Sequence, residues 1–282
     1  MSAMGSANAR SRLAVGCVIV LAIATGACGS GDRTGSLGKF TPAHNGTLTV
    51  ATAFFPAPGF WEGVPSAPTG GLEWELAGEL AERLGLASVG VVPVAFGELV
   101  TGHLSGADLA LSELTPTAER EKVLDFSTPY LVAPPGVVVR PGTGVRDLAA
   151  LRQLRWVVVT GSTLTDIVND DVRPERSALE VAGRPDALDA IDSGRAEVML
   201  LDLPVALALA KAQPERYHVT AQLAGTEGLA AALPDRSKNL EAVDTAIRSL
   251  VADGTIDRLS RRWLGAELST GDESLPLIRT QA

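Results

Sequence analysis

The sequence predicts an α/β fold made of two units in tandem, and three observations indicate it. From Thr47 onward, short apolar and β-branched runs alternate with helical patterns, as in α/β proteins with parallel strands. The alternation is interrupted at Pro134 and Pro135 and then starts again. The chain, at 282 residues, is long enough to bury one or two cores.

The first unit is predicted as strand, helix, strand, helix, strand. We expect strands over 48–52, 89–95 and 108–111, and helices over 72–84 and 96–104. The first helix carries leucines at four-residue spacing, at positions 72, 76, 80 and 84, and Gly85 ends it.

The second unit repeats this pattern. We expect strands over 136–140, 155–160 and 197–201, and helices over 147–151, 186–193 and 204–212. A short apolar segment over 228–233 and two closing helices over 240–250 and 255–264 follow. The tail from Glu267 is polar, and we expect it to be loose.

The N-terminus carries an export signal. Arg10 and Arg12 precede an apolar run from Leu13 to Ala24, and small residues lead to Cys28. The run is about 12 residues, short of the roughly 20 that a membrane-spanning helix needs. We therefore predict cleavage before Cys28, at a position that resembles a bacterial lipobox although Thr25 stands where Leu is usual. Ordinary secretory cleavage, which leaves Cys28 as a free thiol, is the alternative.

Composition argues against several classes of function. After removal of the signal peptide, 22 Lys and Arg remain against 33 Asp and Glu, a net charge of −11, so nucleic acid or an anionic lipid surface is not an expected partner. The three histidines are scattered, and we expect no metal site. No phosphate-binding loop, nucleophile elbow or dinucleotide fingerprint is present, and no cofactor is expected. Of the two cysteines, Cys17 is removed with the signal peptide, which leaves no disulfide.

Six short motifs, in order, carry a resemblance to a known family. They lie at 71–76, 104–108, 115–130, 147–148, 161–163 and 187–202. The most informative is Thr115-Pro-Thr-Ala-Glu-Arg120, followed by Val123-Leu-Asp-Phe-Ser-Thr-Pro-Tyr130. Over about residues 46–266 the chain resembles the family 3 extracellular solute-binding proteins, the polar amino-acid binders of ABC transporters.

The resemblance implies a bilobal, type II periplasmic-binding-protein-like fold, in which two α/β lobes are joined by two crossing hinge segments. We expect a signal peptide over 1–27, a lipidated flexible tether over 28–45, lobe 1 over 46–134 plus 226–266, lobe 2 over 135–225, and a polar tail over 267–282. The hinge segments are predicted near 132–136 and 224–228.

A ligand carboxylate needs a cationic fork and backbone N–H donors, and its ammonium needs an anion on the opposite side. The resemblance assigns Arg120 as the fork, although a surface pairing with Glu119 or Glu121 is the structural alternative. Gly161, Ser162 and Thr163 follow a strand and would hold the same carboxylate, although capping of the next helix by Ser162 or Thr163 is the alternative and can coexist with binding.

The remaining assignments concern the ammonium and the ligand side chain. Asp202, at the end of a strand, would take the ammonium with Thr115 and the carbonyl of Glu113, although Asp202 could equally cap the next helix. Glu113 replaces the small residue usual in the family. Phe54 and Phe55 would pack over the ligand side chain, although a core role is the alternative. Ala53 stands near a position where relatives that bind basic or amide side chains often carry an acid, which favours a small or apolar ligand.

We therefore expect a monomeric lipoprotein, anchored on the extracytoplasmic face of the cell membrane, that closes around an amino-acid-like zwitterion and delivers it to an ABC transporter permease without covalent chemistry. One alternative is a ligand-sensing accessory lipoprotein without transport. Another is an enzyme resembling the cyclohexadienyl dehydratases of this fold, for which Glu113 and Asp202 are the nearest candidate acids.

Overall fold

The structure, a computed structural model, describes residues 39–265 and 275–280. The predicted signal peptide, Cys28 and most of the predicted tether lie outside these residues. Within them, no helix has the length and apolar character to cross a membrane.

The described residues form fourteen strands and eight α-helices. The strands are β1 (Thr47–Thr52), β2 (Glu62–Val64), β3 (Ala67–Gly70), β4 (Ser88–Pro93), β5 (Leu109–Leu114), β6 (Leu124–Phe126), β7 (Leu131–Ala133), β8 (Pro135–Val139), β9 (Val157–Val159), β10 (Leu179–Val181), β11 (Val198–Asp202), β12 (His218–Leu223), β13 (Glu227–Pro234) and β14 (Leu277–Ile278). The helices are α1 (Leu72–Arg83), α2 (Phe96–Leu99), α3 (Leu148–Gln153), α4 (Thr163–Asp166), α5 (Arg184–Asp192), α6 (Leu203–Ala212), α7 (Leu240–Ala252) and α8 (Thr255–Trp263).

The first sheet has the strand order β4-β1-β5-β13-β6, and β7 also pairs with β13. Strand β1 runs parallel to β4 and β5, as the alternating pattern predicts. Strand β13 is antiparallel to β5, β6 and β7. The sheet is therefore mixed, because a strand from late in the chain returns into it in the opposite direction.

The second sheet has the order β11-β8-β12-β14, with β8 antiparallel to both of its neighbours. The parallel pair β9-β10 lies beside it, joined through a parallel bridge between Trp156 and Val198. Alternate residues of β8 face two hydrophobic clusters: Val138 belongs to the larger one, and Val137 and Val139 to the smaller one. This alternation is the period-two geometry of a strand that is buried on both faces.

The segments predicted as hinges run beside each other. Ala133 pairs with Glu227 and Val132 with Gly228 in the antiparallel ladder of β7 and β13. Beyond this ladder, β8 enters the second sheet directly. The chain thus passes between the two sheets through paired extended segments, and the lobe boundaries themselves stay a prediction.

Three details differ from the sequence-based expectations. The helix expected over 96–104 is only α2, Phe96–Leu99, because turns follow and Gly102 adopts a positive φ of 91°. The tail is not loose throughout: Leu277–Ile278 form β14 beside β12, and Ile278 is buried. Six further strands were not foreseen, all of them short or interrupted: β2, β3, β6, β7, β10 and β12.

Candidate ligand-binding site

A small cavity of about 50 Å³ lies where strands of both sheets end. Seven of the residues predicted to bind ligand line it: Phe54, Glu113, Thr115, Arg120, Ser162, Thr163 and Asp202. They follow or end β1, β5, β9 and β11. This is the usual location of a ligand site in an α/β fold, because neighbouring strand ends bring loop residues together.

Arg120 lies on the cavity wall, in a short 3₁₀ turn over Arg120–Lys122, and is buried. Its Nη1 donates to the carbonyl of Thr115 at 2.7 Å, and its Nη2 donates to the carbonyl of Gly161 at 3.0 Å. Within the described residues Arg120 forms no ion pair with Glu119 or Glu121, and Glu119 pairs with Lys122 instead. Burial lowers the pKa of Arg120, while Glu227, Asp202 and Asp166 oppose that shift.

The turn after β9 combines capping and site geometry. Gly161 has a φ of 81°, in the left-handed region that glycine adopts readily. Ser162 caps α4 by accepting a hydrogen bond from the amide of Leu164 at 3.3 Å. Thr163 is the first residue of α4, so its amide has no partner within the helix. Gly161, which was predicted to bind the ligand, does not line this cavity; its carbonyl accepts a hydrogen bond from Arg120.

Asp202 ends β11 and immediately precedes α6. Its side chain makes no capping hydrogen bond to α6, so the capping alternative is not realised. Burial, with the nearby carboxylates of Glu113 and Glu227, raises the pKa of Asp202 to about 8. The carboxyl group is therefore poised to ionise when a cation is placed beside it.

Glu113 contributes its side chain as well as its backbone. Both of its carboxylate oxygens accept from the guanidinium of Arg184, one of them from Nη1 at 3.2 Å. The backbone of Glu113 has a φ of 52°, which is uncommon for a residue with a side chain. Its amide donates to the carboxylate of Glu73 at 2.8 Å, which holds this unusual conformation in place.

Aromatic rings form one side of the cavity. Phe54 stacks on Phe96 with ring centroids 5.3 Å apart, and the Arg184 guanidinium lies 4.0 Å over the Phe54 ring. Phe55 is not part of this cavity lining; it packs against Trp61 and borders a neighbouring cavity. The structure thus places Phe54 with the predicted site and Phe55 beside it.

Arg184, Glu227 and Phe96 are among the residues of this region that were not singled out from the sequence. Thr163 Oγ1 donates to Glu227 at 2.7 Å, and Arg184 pairs with Glu113 across 71 residues of sequence. Neither pairing leaves a local sequence signal, since the partners meet only after folding. Phe96 could have been predicted in the same way as Phe54. Both aromatic residues closely follow a strand, and ligands of α/β sheets bind at the carboxyl ends of the strands.

No group of three or more histidine, cysteine or acidic side chains with metal-binding geometry occurs in residues 39–265 and 275–280. The site is instead a mixture of two guanidinium groups, carboxylates, hydroxyls and aromatic rings. Such a set is suited to hydrogen bonding and ion pairing with a small charged molecule.

Comparison with known families places residues 61–266 within the bacterial extracellular solute-binding proteins, family 3. The L-cystine-binding protein TcyJ of Escherichia coli (strain K12) is 26% identical, with coverage of 80% of this chain and 85% of that protein. The arginine-binding extracellular protein ArtP of Bacillus subtilis (strain 168) is 28% identical, with coverage of 70% and 78%. The expectation of a binding protein rather than an enzyme agrees with these relatives.

One similar protein is an enzyme, the membrane-bound lytic murein transglycosylase F of Ectopseudomonas mendocina (strain ymp), at 28% identity. The match covers 90% of this chain and 52% of that enzyme, so this chain spans about half of its length.

Solved structures bear out the predicted bilobal class. The amino-acid-binding protein AbpA of Streptococcus pneumoniae, bound to L-arginine, matches with a TM-score of 0.66 at 26% identity, covering 79% of this chain and 96% of that one. An ancestral arginine-binding protein bound to glutamine gives 0.67 at 28% identity, with coverage of 79% and 99%. The solute receptor for L-cysteine of Neisseria gonorrhoeae gives 0.70 at 24% identity, which supports the fold alone; the match covers 83% of this chain and 95% of that one.

Proposed function

This chain belongs to the bacterial extracellular solute-binding proteins of family 3, and from that premise we propose that it captures a small amino-acid zwitterion in the cavity between Arg120 and Asp202. We propose further that closure of the two predicted lobes buries the ligand and presents it to an ABC transporter permease. Relatives named for binding cystine and arginine support an amino acid as the ligand class.

The placement of a guanidinium and a carboxyl group on one cavity carries the proposal. Within the described residues, Arg120 makes no ion pair, and two of its N–H groups donate hydrogen bonds to backbone carbonyls. Asp202 is a buried carboxyl without a capping bond. A ligand carboxylate beside Arg120 and a ligand ammonium beside Asp202 would give each buried group the partner that it lacks.

A thermal-shift panel tests this proposal. The purified protein is melted with each of the twenty amino acids, common polyamines and small dicarboxylates. A ligand at about 100 times its dissociation constant adds roughly 2.7 kcal/mol to the free energy of unfolding, which raises the melting temperature by several degrees. Stabilisation by amino acids supports the proposal, and stabilisation only by polyamines or dicarboxylates, or by nothing in the panel, contradicts it.

The lipid anchor is a separate part of the proposal, and Cys28 supports it by its place after a signal peptide. Cells fed with a labelled fatty acid should incorporate the label into the wild-type protein and not into Cys28→Ala. Cys17→Ala is the matched control, since Cys17 lies within the predicted signal peptide and its loss should leave labelling intact. Equal labelling of wild type and Cys28→Ala would rule out the anchor.

A further inference from the structure

The most unusual contact at the site is an ion pair that spans it. Arg184 begins α5, Glu113 lies in β5, and the two side chains meet inside the cavity through a bidentate contact. The side chain of Glu113 is 1% exposed and that of Arg184 is 10% exposed. A pair this deeply buried is costly unless its geometry is satisfied, so it fixes both side chains at the cavity wall.

The surroundings of the Arg184 guanidinium are those of a binding site for a cation. A carboxylate accepts from both of its terminal nitrogens, and the Phe54 ring lies under it at 4.0 Å. An acid combined with an aromatic face is a favourable environment for a guanidinium or ammonium group. The buried Nε of Arg184 has no hydrogen-bond partner among the described residues. The guanidinium of Arg184 therefore occupies this environment with one of its N–H donors unused.

A ligand with a basic side chain would meet a second positive charge here. Glu113 is already paired, Glu227 lies outside the lining of the cavity, and Asp202 is needed by the ligand ammonium in the proposed function. Arg120 adds another fixed positive charge on the same cavity. Two cations held a few ångströms apart in a buried site repel each other strongly, because little water screens them.

The neighbouring cavity that Phe55 borders has no acid that could pair with a basic side chain. It shares Phe54, Arg184 and Leu201 with the first cavity, and its volume is about 220 Å³. None of its other lining residues carries a charge: they are apolar, apart from the amide side chain of Gln213. An ammonium or guanidinium placed there would be desolvated without an anion, which is unfavourable.

We infer that Arg184 occupies the place of a basic ligand side chain, so that the site selects amino acids with uncharged side chains and rejects arginine and lysine. This inference rests on the proposed function, because it takes an amino-acid zwitterion as the ligand. It assigns Arg184 and Glu113 together as the determinants of side-chain selectivity.

Isothermal titration with matched probes tests the inference. The wild-type protein is titrated with alanine, serine, leucine, glutamine, arginine, lysine and citrulline, the uncharged analogue of arginine. We expect arginine and lysine to bind at least 100-fold more weakly than the best uncharged amino acid. In Arg184→Met, which keeps an unbranched apolar stem, the affinity for arginine relative to citrulline should rise at least tenfold, since Glu113 is then free to pair with the ligand.

The double variant Arg184→Met/Glu113→Gln tests whether arginine binds better only because the loss of the Arg184 side chain makes room for it. It removes the anion as well, so the relative preference for arginine should disappear again. Because Arg184→Met leaves Glu113 buried without a countercharge, Arg184→Gln is measured beside it, and its amide can still donate to Glu113. Circular dichroism and thermal melts establish that each variant is folded.

The outcomes separate the two proposals. Wild-type protein that binds arginine as tightly as uncharged amino acids overturns the selectivity inference and leaves the proposed function standing. A folded Arg184→Met with an unchanged arginine-to-citrulline ratio overturns the inference in the same way. Absence of binding to every amino acid in the wild type contradicts the proposed function itself.

Discussion

Arg120 is buried at the cavity with two of its donors on carbonyls from different parts of the chain. Thr115 precedes it closely, whereas Gly161 follows β9, beside the second sheet. These bonds hold the guanidinium plane in a fixed orientation before any ligand arrives. A preorganised cation loses little entropy on binding, so most of its interaction energy is available for affinity.

Replacing Arg120 by Ala should reduce amino-acid affinity by at least about 100-fold, because charge-assisted hydrogen bonds contribute about 1.5–3 kcal/mol each. The empty variant should also melt at a lower temperature, because Arg120 donates to the carbonyls of Thr115 and Gly161, so affinity is compared at a temperature where both proteins are folded. Arg155→Ala is the control, since Arg155 pairs with Glu197 outside the cavity lining. Isothermal titration of both variants checks this, and wild-type affinity in Arg120→Ala would remove Arg120 from the site.

Asp202 should give binding a pH dependence. Its pKa is raised from 3.8 to about 8 by burial and by Glu113 and Glu227, with Arg184 opposing. At pH 7 the empty protein therefore holds Asp202 largely protonated. A ligand ammonium favours the carboxylate, so binding releases a proton and affinity rises between pH 6 and 8, by at most about tenfold per pH unit.

Titration in buffers of different ionisation enthalpy measures this released proton directly. Asp202→Asn should bind without the buffer dependence and with lower affinity. Proton uptake on binding, or release that persists in Asp202→Asn, would contradict the assignment. The raised pKa of Asp202 also makes the empty protein less stable as pH rises from about 4 to 8, because Asp202 ionises more readily in the unfolded chain than in the folded protein.

At the residue scale, the sequence predicted the site residues that belong to a local motif. It did not predict the site residues that come together only when the chain folds. Arg120 and Asp202 stand in recognisable local patterns, and the structure places both in one cavity. Arg184 and Glu227 face the site through contacts with Glu113 and Thr163, which are distant in sequence. No local pattern encodes such a pairing, because it depends on how two sheets are placed.

Helix α1 positions the site through a buried acid. Glu73 accepts hydrogen bonds from Trp61 Nε1 at 2.5 Å, from the Tyr130 hydroxyl, and from the amide of Glu113. Burial, together with the charge of Glu113, raises the pKa of Glu73 to about 7. One side chain thus ties α1 to the end of β5, where Glu113 enters the cavity.

Replacing Glu73 by Ala should lower the free energy of unfolding by about 3 kcal/mol, because three buried donors lose their acceptor. Glu79→Ala on the same helix is the matched control; its exposed pairing with Arg258 should be worth less than about 1 kcal/mol. Urea denaturation measures both variants. Equal losses would show that the buried network contributes no more than a surface ion pair.

At the element scale, helices and strands with a clear hydrophobic periodicity were predicted correctly, whereas several strands of three residues were not predicted. Helices α1, α7 and α8 and strands β1, β5 and β11 lie within a few residues of their predicted positions. In α7 the buried residues Val243, Ala246, Ile247 and Leu250 recur at helical spacing, which is a local signal. Strands such as β6, β7 and β10 have three residues each, and pairing partners rather than local pattern create them.

The two sheets share a continuous connection through β7, β8 and β13. Strand β7 pairs with β13 in the first sheet, and two residues later β8 begins at the centre of the second. Hydrogen bonds from Arg120 to Gly161 and from Thr163 to Glu227 also join residues of the two predicted lobes. These contacts lie beside the cavity, so a ligand there would add to the forces that hold the lobes together.

The measurement that tests the zwitterion site most directly is a titration of the wild-type protein with one amino acid and its two singly blocked derivatives. The amino acid that stabilises the protein most is compared with its carboxamide, which lacks the carboxylate, and its N-acetyl form, which lacks the ammonium. We predict one site per chain for the parent and at least a 100-fold loss for each derivative, since each leaves Arg120 or Asp202 without its partner. Binding of either derivative within tenfold of the parent would contradict the account.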